Sequence, residues 1–380
     1  MRIAYFNANL RRGQDGVTRV MFKMFEAALA EGHEVAAFTS TLPDPEDRIV
    51  TVHKVPSVVL PLQKNYRIAL PGYQMFARSL HSFAPDIMHI NSPCTLGFAA
   101  MRFAGQFGIP IVATYHTHFP TYPRYYGLKA LEEMTWKISR YLYNRVDRTF
   151  VPTEPILEEL ALHGIRHLEY LPNGVDLDLF NPGRRSMAWR ERFSPDGKPI
   201  LLFVSRLVWE KDLAVLAEAY RILRARRSDF EMVIVGDGHA RVEFQAMMPG
   251  AHFLGYQSGV TLAESYASSD IFLFPSTTET FGLVTLEAMA SGLAPVAAKV
   301  GGATGIIREG ESGLFAAPLN AEDMADRVSV LLDHKTIRDN LAAGAVTRAR
   351  KFSWSSILSN LFSSYRQVVN EHHVRSAQAA

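Results

Sequence analysis

Two glutamates eight positions apart, Glu279 and Glu287, bracket a junction where an apolar run gives way to a helix-forming one. Residues 271–274 are all apolar and read as a buried strand, which Pro275 stops. A polar loop carrying Glu279 follows, and a helix is expected from about Gly282. The first N–H groups of a helix have no partner inside it, so those of Phe281, Gly282 and Leu283 form a seat for a phosphate or another anion. Gly282 lets the backbone come close to a ligand. Glu287 falls about two turns into the helix, beside Leu286, Ala288 and Met289, as a half-buried carboxylate. Such a group is costly unless something partners it, and ligand hydroxyls would serve.

Two cations are placed for the same chemistry. Arg206 and Lys211 lie between an apolar strand at 200–204 and a helix expected over 212–226. Fixed cations at a strand's carboxyl end suit a diphosphate and stabilise it as it leaves; two solvated surface cations are the plain alternative. His116 follows a strand at 111–115, again at a carboxyl end, where open α/β sheets bind ligands. His116 and His118 have no acidic or cysteine partner at local spacing, so no metal site is expected and no cofactor is implied. His118 reads as a satisfied loop histidine. Asp44, Glu46 and Asp47 sit in a proline-rich loop and read as solvated. Gly16 opens the first helix, where its N–H approaches a phosphate or merely makes a tight turn; the G-x-G-x-x-G spacing is absent.

The elements that must position these groups alternate between strand and helix. Strands are expected at 3–6, 35–38, 49–55, 86–90, 111–115, 148–151 and 168–171. Helices are expected at 17–31 (ended by Gly32), 72–83, 96–107, 129–144 and 156–163 (capped by Thr153), with residues 56–71 as a mixed loop. Pro172-Asn173-Gly174-Val175-Asp176 breaks the rhythm, which restarts with strands at 200–204, 231–235, 252–254, 271–274 and 294–298 and a short helix at 262–267. Gly301-Gly302 reads as a turn, helices are expected at 321–332, 336–351 and 354–369, and the chain from His372 reads as a frayed tail. A length of 380 residues suits two domains. The expected division is 1–171 as an N-terminal Rossmann-like domain, 172–182 as a linker, 183–352 as a second Rossmann-like domain, and 353–380 as a returning helix with its tail.

Composition narrows the partners. A net charge of +2 gives no footprint for nucleic acid. The single cysteine, Cys94, excludes an internal disulfide. No apolar stretch approaches the roughly 20 residues of a membrane span, and the opening run is too short and too soon polar for a signal peptide, so a cytoplasmic protein is expected. From Arg102 to Arg148 seven basic residues stand against three acidic ones, with apolar and aromatic side chains between them. That stretch reads either as a solvated face or as a surface for an anionic membrane.

Taken together, the E-x7-E block from Glu279 to Glu287, the His-Thr at 116–117, the Pro-Asn-Gly-Val-Asp run and the Arg206/Lys211 pair resemble the retaining glycosyltransferases of family 4. The resemblance spans nearly the whole chain. It implies an α/β fold of the GT-B type, two Rossmann-like doubly wound domains facing across a cleft. It implies transfer of a hexose from a UDP- or GDP-linked sugar with retention of configuration and without a metal. In that scheme Arg206, Lys211 and the N–H groups of Phe281, Gly282 and Leu283 hold the diphosphate. Glu279 orients the sugar, Glu287 holds the ribose, and Gly255 and Tyr256 lie against the base. His116 meets the sugar near the anomeric carbon, and domain closure brings it and Gly16 to the donor. On the acceptor side, Tyr115, His118 and Tyr125, with residues 66–71, look most like the glycolipid-forming branch, which includes sulfoquinovosyl- and glycosyl-diacylglycerol synthases and mannosyltransferases. That likeness implies a lipid acceptor and a place at the inner face of the plasma membrane. A soluble sugar or polysaccharide acceptor is the alternative, and a nucleotide-sugar epimerase of the same architecture is another. Three positions depart from the family's pattern. Ser205 and Asp212 stand where glycine is usual or frequent, and Gly305 stands where an acidic residue commonly follows Gly301-Gly302, with Glu309 too far on to replace it.

Overall fold

The computed structural model describes residues 1–11, 16–60, 63–70, 74–121 and 129–379. The chain divides into two compact units, one of residues Met1–Pro172 with Ser355–Ala380 and the other of Asn173–Trp354.

In the first unit, β1 (Arg2–Asn9), β2 (Glu34–Thr41), β3 (Thr51–Lys54), β6 (Ile87–Ile90), β7 (Ile111–Thr114), β8 (Arg148–Val151) and β9 (Leu168–Tyr170) form one sheet, between which β4 (Ser57–Leu60) and β5 (Gln63–Ala69) make a separate hairpin. The sheet is parallel throughout, in the order β3-β2-β1-β6-β7-β8-β9. A parallel sheet is covered by helices on both faces, so its strands are apolar without alternation. Ile87–Ile90 and Ile111–Thr114 are accordingly buried at every residue. The helix Gly16–Ala30 ends at Gly32, whose φ of 73° is the left-handed turn that glycine adopts without strain.

In the second unit, β10 (Ile200–Val204), β11 (Glu231–Val235), β12 (His252–Phe253), β13 (Ile271–Phe274), β14 (Ala294–Ala298) and β15 (Leu314–Ala316) form a parallel sheet in the order β12-β11-β10-β13-β14-β15. Both sheets start in the middle, run outward one way, then cross back and run the other way. This is the doubly wound Rossmann arrangement, and the strand order reverses between β1 and β6 and between β10 and β13.

Four expectations are corrected. Ser57–Leu60 and Gln63–Ala69 are not loop but the paired strands β4 and β5, antiparallel with Val58 opposite Ile68. The helix Trp354–Ala379 has no frayed tail from His372: His372 Nε2 bonds the Gly108 carbonyl at 3.1 Å and Arg375 donates to Asp147 Oδ1 at 2.7 Å. Thr153 stands at the start of helix Glu154–Leu162 but makes no side-chain capping bond. Gly301-Gly302 is not a bare turn, since the short helix Gly302–Ile306 begins there.

The C-terminal helix is bound into the first unit by buried polar groups. Tyr365 Oη meets His89 Nδ1 and donates to Tyr5 Oη at 3.3 Å, while His89 Nε2 meets Thr114 Oγ1 at 2.7 Å. Arg148 of β8 donates to Ser364 and Glu169 at 2.9 and 2.8 Å.

Candidate active site

The loops leaving β10 and β13 stand on either side of the second unit's switch point, and each carries part of the expected donor site. After β10 come Arg206, exposed, and Lys211, which ends a single 3-10 turn, Trp209–Lys211. After β13 come Thr277, Thr278 and Glu279, then Gly282 and the helix Leu283–Ala290. The two loops meet. Lys211 Nζ lies 2.6 Å from Glu279 Oε1 and 3.4 Å from Thr278 Oγ1. Thr278 Oγ1 donates to the Glu210 carbonyl at 3.0 Å, and Asp212 Oδ2 accepts from Thr277 N–H and Oγ1 at 2.7 and 2.8 Å. Lys211 and Glu279, expected on the diphosphate and the sugar, therefore hold each other here.

Beneath this pair the helix start is pressed against Gly301 and Gly302. Gly302 N–H donates to the Glu279 carbonyl at 2.8 Å. A Cβ on Gly302 would lie 2.3 Å from the Phe281 nitrogen, and one on Gly301 would lie 2.6 Å from the Glu279 carbonyl oxygen. The pair of glycines is thus a packing requirement of the Glu279–Gly282 loop. Gly282 has φ 90°, which glycine adopts freely, and it turns the chain into the helix. Phe281 is buried, and Leu283 is half-buried.

Glu287 is buried on the same helix and accepts from Tyr266 Oη at 3.1 Å. Tyr266 supplies a partner that the sequence reading had assigned to ligand hydroxyls alone. Gly255 (φ 74°) accepts at its carbonyl from Gly236 N–H at 2.8 Å, and Tyr256 beside it is 62% exposed. Gly236 itself leaves no room, since a Cβ there would meet the Ser205 carbonyl oxygen at 1.8 Å. The β11 loop is in this way seated against the β10 loop.

The remaining residues belong to the first unit. His116, half-buried, follows β7, and Asn91 Oδ1 accepts from its Nε2 at 3.1 Å. Burial lowers its pKa from 6.5 to about 4, so at neutral pH it is an uncharged hydrogen-bonding group. Asn91, at the end of β6, was not anticipated from sequence. Gly16 begins its helix as expected. Tyr115 lies in the core with its hydroxyl 2.9 Å from His118 Nδ1, and His118 Nε2 is 3.3 Å from Glu159. Both side chains thus find partners within the first unit, Tyr115 from a fully buried position. Tyr125 and the Tyr66 side chain lie outside the described residues. Glu309 accepts from Phe315 N–H at 3.1 Å, a bond that secures β15. Among the described residues no group of three or more His, Cys, Asp or Glu side chains is placed to hold a metal.

The neutral histidines carry a consequence for acid stability. His116 is depressed to about 4 and His89 well below its ordinary value, both by burial. A depressed histidine binds its proton in the unfolded chain first, so stability is lost as pH falls from 6.5 towards the folded value. The loss from His116 alone should reach about 3 kcal/mol near pH 4, with His89 adding in the same direction. Urea unfolding between pH 7.5 and 4.5 measures this, and a flat midpoint across that range would contradict it.

Residues 14–179 match the family described as Glycosyltransferase Family 4, and residues 188–350 match that described as Glycosyl transferases group 1. The GDP-mannose-dependent alpha-mannosyltransferase of Mycolicibacterium smegmatis is 33% identical, across 99% of this chain and 100% of its own length. Sulfoquinovosyl transferase SQD2 of Arabidopsis thaliana is 34% identical, across 88% of this chain and 67% of its own. Sucrose-phosphate synthase from Thermosynechococcus elongatus has a similar structure at 20% identity, with a TM-score of 0.81 over 97% of this chain and 99% of that one.

Proposed function

The chain belongs to glycosyltransferase family 4 and has the GT-B fold, and from that premise we propose that it moves mannose from GDP-mannose, with retention of configuration and no metal, to a hydroxyl of a membrane glycolipid precursor. The observation that carries the reading is the meeting of the β10 and β13 loops at one switch point. It places Lys211 2.6 Å from Glu279 at the start of a helix. Negative charge grows on the diphosphate as its bond to the sugar breaks. Arg206, Lys211 and the N–H groups of Phe281, Gly282 and Leu283 take up that charge. Glu279 releases Lys211 to the phosphate and turns to the sugar hydroxyls. Glu287 receives the ribose, and Gly255 and Tyr256 border the base.

The choice of mannose follows the mannosyltransferase relative, which aligns over its full length. The lipid acceptor draws on the likeness to the glycolipid-forming branch and on one helix face. Leu131, Met134, Ile138 and Tyr141 are each at least 38% exposed and recur at intervals of three and four along Lys129–Leu131 and Glu132–Tyr143. Lys137 and Arg145 lie on the same helix and just beyond it, so an apolar stripe with basic flanks faces outward, suited to an anionic leaflet. No helix among the described residues is long and apolar enough to cross a membrane.

Thermal unfolding with GDP, UDP, ADP, GDP-mannose and UDP-glucose, without added metal, tests the donor. GDP and GDP-mannose should stabilise the chain, by about 2.7 kcal/mol at a hundredfold excess over Kd. Stabilisation by UDP compounds alone would move the donor to UDP; none with any nucleotide would remove the donor-site reading. Mannose transfer into vesicles containing diacylglycerol, against transfer to soluble mannose, separates the acceptors. The anomeric configuration of the product decides retention.

Glu287→Gln should weaken GDP binding by about tenfold, because one buried acceptor becomes a donor facing the ribose hydroxyls and Tyr266. Titration calorimetry checks this. Unchanged affinity with a lowered melting temperature would make Glu287 a structural partner of Tyr266 only.

A further inference from the structure

Asp212 occupies a backbone position that favours glycine. Its φ of 55° is in the left-handed region, which glycine visits freely and aspartate only tolerates. It also precedes the helix Leu213–Arg226, where an aspartate ordinarily accepts from the first N–H groups, and its side chain makes no such bond. Its Oδ2 instead reaches across 65 residues of sequence to accept both Thr277 N–H at 2.7 Å and Thr277 Oγ1 at 2.8 Å. Burial raises its pKa, with the Thr277 bonds opposing that rise. The carboxylate thus forgoes a capping bond and tolerates an unfavourable backbone, and in return it joins the residue after Lys211 to the residue two before Glu279.

We propose that Asp212 is a positioning residue: it ties the β10 loop to the β13 loop and so fixes Lys211 at the diphosphate seat. The proposal rests on the donor-site reading above. Glycine at 212 would satisfy the backbone and leave Thr277 without this acceptor. The chain's departure from glycine therefore adds a tether and does not loosen the loop. Asp212 touches no substrate in this scheme; it acts through Lys211.

Glycine substitution separates tether from backbone, since Asp212→Gly removes the carboxylate and suits the left-handed conformation. The readout is affinity for GDP and for guanosine by titration calorimetry, with UDP and uridine used if UDP is the stabilising nucleotide. Asp212→Gly should weaken GDP binding about 5- to 10-fold through lost preorganisation of Lys211, with guanosine affinity changed less than about twofold. The melting temperature should not fall. Thr277→Val should act in the same direction but less strongly, because it removes the hydroxyl bond and keeps the N–H bond, and the double variant should be no weaker than Asp212→Gly, which already removes both. GDP affinity within about twofold of the parent would overturn the proposal. If Asp212→Gly melts lower, Thr277→Val decides: it leaves the 212 backbone intact and removes the hydroxyl bond, so GDP binding should weaken about 2- to 5-fold, and unchanged affinity would overturn the proposal. Lys211→Ala is the control. If it leaves GDP affinity unchanged, the donor-site reading fails; if it weakens GDP and Asp212→Gly does not, the tether alone fails.

Discussion

Lys211→Ala is expected to lower turnover by about 10²- to 10³-fold, the scale on which removing one preorganised charge from a leaving-group site is felt. The effect should fall on kcat more than on donor KM, because the leaving-group charge proposed for Lys211 to neutralise is largest in the transition state. Its consequence for the fold should be small. Lys211 and Glu279 retain 12% and 24% side-chain exposure, so Glu279 can turn to water once its 2.6 Å partner is gone. A partly solvated pair contributes about 1 kcal/mol or less. Steady-state transfer from GDP-mannose, read alongside the melting temperature, measures both. Turnover within about threefold of the parent, with the fold intact, would remove Lys211 from the mechanism.

The second large effect is steric. Gly302→Ala would place a methyl group 2.3 to 2.5 Å from the nitrogen, Cα and carbonyl carbon of Phe281. Those atoms are backbone, so no rotamer change relieves the clash, and the Phe281 peptide must move. Overpacking of this kind costs about 1–3 kcal/mol. The displaced peptide is also the first of the N–H groups assigned to the phosphate, so GDP affinity should fall at least about tenfold. Gly105→Ala is the matched comparison. Gly105 lies in the helix Thr95–Phe107 with no atom within 4 Å of its added Cβ, and alanine there should be neutral or stabilising by up to about 1 kcal/mol. Unchanged GDP affinity in Gly302→Ala would show that the helix start does not hold the phosphate.

The sheets were legible because their strands are unbroken apolar runs stopped by polar or turn residues. β8, β10, β11, β13 and β14 lie at the expected residues. The β4–β5 hairpin was not legible: Gln63-Lys64-Asn65-Tyr66-Arg67 is polar, and Pro61-Leu62 carries no Asn-Gly turn signal. The far end of the last helix was missed for another reason. It is held by Gly108, Asp147 and Arg148, all distant in sequence. The site shows the same limit. Arg206, Lys211 and Glu279 stood out as candidates from their place after strands, and Glu287 from its spacing to Glu279. Tyr266 beneath Glu287, Asn91 beside His116 and Asp212 on Thr277 were not, because each partner lies at least 21 residues away. The one available signal at 212 was a charged residue in a glycine's place, and it reads as a loss until the far contact is seen.

Because the first unit is built from both ends of the described chain, it cannot finish on the ribosome in the order in which it is made. Its sheet has emerged by Pro172, but Tyr365, which fills the space between His89 and Tyr5, follows only after the whole of the second unit. At about 5–20 residues per second that delay is roughly 10 to 40 s. The second unit, continuous from Asn173 to Trp354, meets no such wait. The nascent first half must therefore be kept from aggregating while one face of its core stands open, and cellular yield will depend on whatever shields that face until the last helix arrives.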